Sequence, residues 1–124
     1  MLTRIFLALT GLLFLAFGLW SVTNPAGMTA QLGVNVSGPS GIFEMRGVYG
    51  GISLGAAILC LVGAMKASMQ TPALWFITTY MGGYMIGRAA SFIAGDPAMN
   101  SSWMFAGYEL ITLLIAVALL KRTK

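Results

Sequence analysis

Tyr80-Met81-Gly82-Gly83-Tyr84-Met85-Ile86-Gly87-Arg88-Ala89-Ala90-Ser91 sets one arginine in a stretch otherwise fit for hydrocarbon. Trp103-Met104-Phe105-Ala106-Gly107-Tyr108-Glu109-Leu110-Ile111 does the same with one glutamate. A charged side chain at the centre of a membrane helix costs roughly 2.5–3.5 kcal/mol even on the lenient insertion scale. A group kept there needs a partner, and these two have opposite sign. Whether they meet decides how the chain is read.

Composition points to the bilayer. Of 124 residues, 58% are hydrophobic and only 8% are charged, with a mean hydropathy of +0.86. Soluble domains carry about 25% charged residues, so a water-soluble globule is the poorer reading. The length allows a single integral membrane domain over residues 1–124. Four apolar runs are long enough to cross about 30 Å of hydrocarbon as helices: 5–22, 43–65 (uncharged from 47), 72–95 and 103–120. The runs are continuous rather than alternating, which argues against a membrane barrel. The expected fold is all-α, a membrane-embedded four-helix bundle running up-down-up-down.

The connections carry helix-ending chemistry. Asn24-Pro25 closes the first run and Asp96-Pro97 the third, while Pro72 suits the first turn of the third helix. Asn100-Ser101-Ser102 offers an N-cap for the fourth. Asn24-Pro25-Ala26 and Asp96-Pro97-Ala98 resemble each other over three residues, a match that chance explains as well as duplication does. The first run is read as a span rather than a cleaved signal. Its apolar stretch exceeds the usual length of about 7–15 residues, and no small-residue cleavage site follows.

Basic residues set the orientation. Arg4, Lys66, Lys121, Arg122 and Lys124 flank the chain ends and the middle connection, whereas the segments 23–43 and 96–102 contain no Lys or Arg. With four spans, all five charges fall on one side. Both termini are therefore expected in the cytoplasm, with the protein in the inner (plasma) membrane. The same placement makes the net charge of +4 a matter of topology rather than nucleic-acid binding. Trp20, Trp75 and Trp103 sit near span ends, as an interfacial aromatic belt requires.

Gly47, Gly51, Gly55 and Gly63 recur at helical spacing, as do Gly83, Gly87, Ser91 and Gly95. Small-xxx-small ridges let helix backbones approach in lipid, so the second and third spans are expected to pack closely along them.

Arg88 and Glu109 lie at matching depth on consecutive spans, each roughly 10 Å inside the outer boundary at 1.5 Å per residue. Glu44 and Arg46 stand at the outer start of the second span, and the four charges sum to zero. Glu44 shares the Gly47/Gly51 face and is expected to point inward. Arg46 is expected to snorkel to the headgroups or to lie against Tyr49. Tyr84, Arg88 and Ser91 share a face, as do Phe105, Glu109 and Thr112. Tyr49, Tyr84 and Tyr108 can each offer a hydroxyl. These residues form a candidate pocket, open to the outer side, for a small polar ligand or a lipid headgroup. The competing reading is a buried ion pair that only fixes helix register.

No enzyme is expected. The chain has no histidine, which removes the commonest general base and metal ligand together. Glu44 and Glu109 have neither an activated nucleophile nor a metal set beside them, so no catalytic residue, metal or cofactor is assigned. Cys60 is single and sits in an apolar run, where packing accounts for it. Membrane lipids are the expected partners, with a homo-oligomer or a membrane partner protein as the alternative and no nucleic acid.

The chain resembles the small bacterial membrane proteins grouped as domain-of-unknown-function family 4345. The resemblance rests on Glu44-Met45-Arg46-Gly47-Val48-Tyr49-Gly50-Gly51, on Gly87-Arg88-Ala89-Ala90-Ser91 followed by Gly95-Asp96-Pro97, and on Glu109 in the last span. It implies a four-span membrane protein with these charged positions in common, and brings no established activity. A more distant similarity to DoxX-like four-helix membrane proteins implies service to redox complexes, for which the sequence supplies no redox group.

Overall fold

The computed structural model describes residues 1–122, so the orientation charge at Lys124 lies outside the described residues. The described residues are helical throughout their ordered elements, with no strand among them. They divide into two compact units, Met1–Gln70 and a second beginning at Thr71.

In the first unit, α1 spans Leu2–Thr23. A short α2, Pro25–Gln31, occupies what reads in the sequence as an open connection. It exists because Asn24 accepts a hydrogen bond from Gly27 N at 3.0 Å through its side chain, and Pro25 takes the first-turn position. Gly33, at φ +72, ends α2. Bonds from Gly33 N to Ala30 O and from Val34 N to Thr29 O complete a Schellman closure there.

The helix α3 runs from Gly38 to Met65, several residues longer at its start than the apolar run suggests. Between Arg46 and Gly51 it widens into a π-helical turn, with Ile52 N bonding Gly47 O. Three glycines in Arg46-Gly47-Val48-Tyr49-Gly50-Gly51 make that backbone compliant.

The packing of α1 on α3 follows from α1's own pattern. Leu7, Gly11, Phe14, Gly18 and Ser21 are buried and alternate four and three apart, the period of a seam that stays facing one partner. A Cβ added to Gly11 would stand 2.9 Å from Leu61 Cγ, one on Gly18 2.9 Å from Leu54 Cδ2, and one on Gly50 2.5 Å from Val22 Cγ2. Each step up α1 matches an equal step down α3, so the pair is antiparallel and in close backbone approach. Cys60 packs in this seam, its Cβ 3.2 Å from the position of a Cβ on Gly11.

The glycines expected to form ridges differ from those in this seam. Around Gly47, Gly55, Gly83 and Gly87 no atom lies within 4 Å of an added Cβ, and Gly51 meets only the Arg46 carbonyl at 3.9 Å. At 100° per residue, Gly51 and Gly55 stand about 200° from Ser53, on the far side of the helix from the buried positions. The buried positions of α3 are Gly50, Ser53, Ala56, Ala57, Cys60 and Gly63, so of the expected ridge only Gly63 is on the packed side.

A 3₁₀ turn, Ala67–Met69, leads into the second unit. There α4 spans Gln70–Ala94 and α5 spans Asn100–Arg122. Gly95 at φ +80, with bonds from Gly95 N to Phe92 O and from Asp96 N to Ser91 O, closes α4 in the same Schellman manner as α2. The expected N-cap at residues 100–102 falls instead inside the first turn of α5, because Trp103 N bonds back to Met99 O and starts the helix earlier.

Among the described residues, three helices, α1, α3 and α5, are long and apolar enough to cross a membrane. At 25 residues α4 is as long, but its threonines, tyrosines, Arg88 and Ser91 lower its hydropathy. Leu9, Leu12, Leu13 and Leu19 of α1 and Ile111, Leu114 and Ile115 of α5 face outward. Apolar surface on that scale suits lipid better than water.

Candidate functional site

The second unit holds the ion pair. Arg88 Nε donates to Glu109 Oε2 at 2.5 Å and Arg88 Nη2 donates to Oε1 at 2.7 Å, a bidentate fork across α4 and α5. This geometry is the strongest available to an arginine and a carboxylate. The two partners differ in access: 34% of the Arg88 side chain is exposed against 8% of the Glu109 side chain. Glu109 is buried and Thr112, one turn on, is buried beside it on the same face, as the spacing predicts.

A polar stripe on α4 leads to the fork. Phe76, Tyr80, Tyr84 and Arg88 follow one another at four-residue spacing. The Tyr80 and Tyr84 hydroxyls share a hydrogen bond of 2.9 Å, and their rings meet edge to face with centroids 5.0 Å apart. Phe76 stacks on Tyr80 with centroids 5.3 Å apart. Sequence reading named Tyr84 and passed over Tyr80. The signal was present in the regular i, i+4 recurrence of aromatic rings before Arg88. Tyr108 is half-buried next to Glu109 on α5, and Ser91 is exposed on the last turn of α4.

Glu44, Arg46 and Tyr49 belong to the first unit. Glu44 is exposed, not inward-facing as its spacing from Gly47 suggests, since Gly47 and Gly51 are themselves exposed. Arg46 is exposed, and its Nε donates to the Val22 carbonyl at 3.0 Å. A cation satisfying one of the last carbonyls of α1 is a helix C-terminal contact. Tyr49 is half-buried within the π-helical turn. Among the described residues, no group of three or more His, Cys, Asp or Glu side chains is placed to hold a metal ion.

Chemically, a buried carboxylate locks a guanidinium in orientation while leaving part of it accessible. The fork is neutral as a whole, and the Tyr80 and Tyr84 hydroxyls extend its polar line along α4. Such a surface can hydrogen-bond a polar group.

The family model described as Domain of unknown function (DUF4345) matches residues 2–120, and the chain belongs to that family. No curated protein and no solved structure matches it, so the DoxX-like similarity rests on the sequence reading alone.

Proposed function

We propose that this DUF4345 protein is a four-span, non-enzymatic integral membrane protein of the inner membrane, and that its α4/α5 hairpin binds a small polar ligand or lipid headgroup from the outer side. The observation that carries the reading is the asymmetry of the Arg88–Glu109 fork: the acid is buried and the guanidinium is one-third exposed. A pair serving register alone gains nothing from an accessible cation, whereas a binding site needs one. The Tyr80–Tyr84 hydroxyl pair one and two turns away supplies further polar contacts.

In this reading α4 is the fourth span, with Arg88 made tolerable in hydrocarbon by Glu109. Both termini lie in the cytoplasm. In support, the antiparallel register of α1 and α3 brings Arg4 and Lys66 to one end of that pair. Lys121 and Arg122 likewise stand at the opposite end of the α4/α5 hairpin from the fork.

Native mass spectrometry of gently extracted protein tests the pocket. A co-purifying small molecule on the wild type that is absent from R88M/E109Q is the expected result. Bare protein in both, under conditions that preserve lipid adducts, counts against it.

A second reading, an accessory subunit of a membrane complex or of an oligomeric transporter, draws on the open backbone at Gly83 and Gly87, where another helix can approach. Its signature is a mass above the monomer that Gly87→Leu abolishes.

A further inference from the structure

The geometry points to a second site, for an acidic phospholipid, in the groove at the Lys121 end of the α4/α5 hairpin. The groove encloses about 190 Å³ between Trp75 and Thr78 of α4 and Val117, Leu120 and Lys121 of α5. Lys121 and the adjacent Arg122 occupy the last turn of α5. No acidic side chain lines the groove, and α4 contains no Asp or Glu at all. The nearest acid on α5 is Glu109, twelve residues or about 18 Å away along the helix, and it is engaged by Arg88. The electrostatic demand is therefore for an anion.

The walls say which kind of anion. Val117 and Leu120 are apolar, and Trp75, 54% exposed, lines the same groove as Lys121. An aromatic ring and a basic group over aliphatic surface is the arrangement found where a bilayer meets water. The volume is below the roughly 300–1,000 Å³ of pockets that swallow whole ligands. A phosphate with its glycerol fits, while the acyl chains run on along the apolar helix faces.

The Thr78 hydroxyl adds an independent mark. Its oxygen is shut off from solvent and has no hydrogen-bond partner among the described residues, although the side chain belongs to the groove wall. Buried hydroxyls are nearly always satisfied, and a phospholipid oxygen seated here gives it a partner after a χ1 rotation. The amino-terminal end of α4 lies at the same end of the hairpin, and its positive pole adds to the field of Lys121. This site shares with the proposed function only the insertion of the hairpin in a bilayer. It does not depend on the pocket at Arg88.

The test is native mass spectrometry of delipidated full-length protein titrated with phosphatidylglycerol against phosphatidylcholine of the same chains. Wild type should retain the acidic lipid in preference by about fivefold for each basic residue engaged. Lys121→Gln and Thr78→Val should lower that preference, whereas Lys66→Gln, a basic residue outside the groove, should leave it unchanged. R88M/E109Q should leave it unchanged as well, which separates this site from the outer one. Equal retention of the two lipids by wild type overturns the proposal. So does an equal loss from Lys121→Gln and Lys66→Gln, which marks general surface charge. Displacement of the lipid by inorganic phosphate marks a site for a free anion instead, and overturns it too.

Discussion

Arg88 and Glu109, twenty-one positions apart in the chain, meet through two parallel hydrogen bonds, Nε to Oε2 and Nη2 to Oε1. The fork ties α4 to α5 near the turn that joins them, and it makes an arginine admissible in an apolar stretch. Because the carboxylate is the buried partner, the two ends of the fork respond differently to mutation.

Removing Arg88 alone strands a buried carboxylate, a defect worth about 3–5 kcal/mol for a fully enclosed pair and less here because a third of the arginine is exposed. Arg88→Ala should therefore destabilise more than Arg88→Ala with Glu109→Ala. A thermal-shift series in detergent reads the difference directly. Additive losses would mean that the two side chains do not depend on one another.

The glycines separate into two classes by the space around them. Gly50→Ala drives a methyl against Val22 and should cost about 1–3 kcal/mol as an overpacked seam. Gly83→Ala and Gly87→Ala meet nothing within 4 Å and should be neutral, or gain up to about 1 kcal/mol from helix propensity. Unfolding midpoints of the three variants decide the matter, and a Gly87→Ala loss as large as that of Gly50→Ala would refute it.

Arg46 holds the Val22 carbonyl across the first unit. Arg46→Met keeps the apolar stem and removes the donor, with an expected cost of about 0.5–1.5 kcal/mol. Amide exchange at Thr23 and Asn24 should quicken in the same variant as the end of α1 frays. Unchanged exchange there would assign Arg46 to another task.

The Tyr80–Tyr84 hydroxyl contact is a pairwise interaction and can be measured as one. In a double-mutant cycle with Tyr80→Phe and Tyr84→Phe, the coupling should be about 0.5–1.5 kcal/mol. A coupling near zero would indicate that each hydroxyl is satisfied elsewhere.

Topology is checked with single cysteines in a Cys60→Ala background. Asn35→Cys and Ala98→Cys should react with a membrane-impermeant maleimide from outside intact cells, and Ser68→Cys only after lysis. Labelling of Ser68→Cys in intact cells would invert the orientation that the basic residues imply.

The amino-acid sequence by itself determined the helical class, the reach of the apolar runs and the demand that Arg88 be matched by an acid. Each of these depends on local quantities: hydropathy summed along the chain, the 3.6-residue period and the cost of a lone charge in hydrocarbon. It also fixed which residues stand near Glu109, since Thr112 follows at helical spacing. It did not determine through which residues α1 meets α3. Arg46–Gly51 forms a π-helical turn that the apolar pattern does not announce, and Gly50, not Gly47 or Gly51, is its buried glycine. Within the first unit the close seam sets Gly11 and Gly18 against Leu61 and Leu54. Arg46's acceptor, a backbone carbonyl 24 positions away, was equally out of reach. Carbonyls are the same in every residue, and only the fold decides which of them lies within a guanidinium's length.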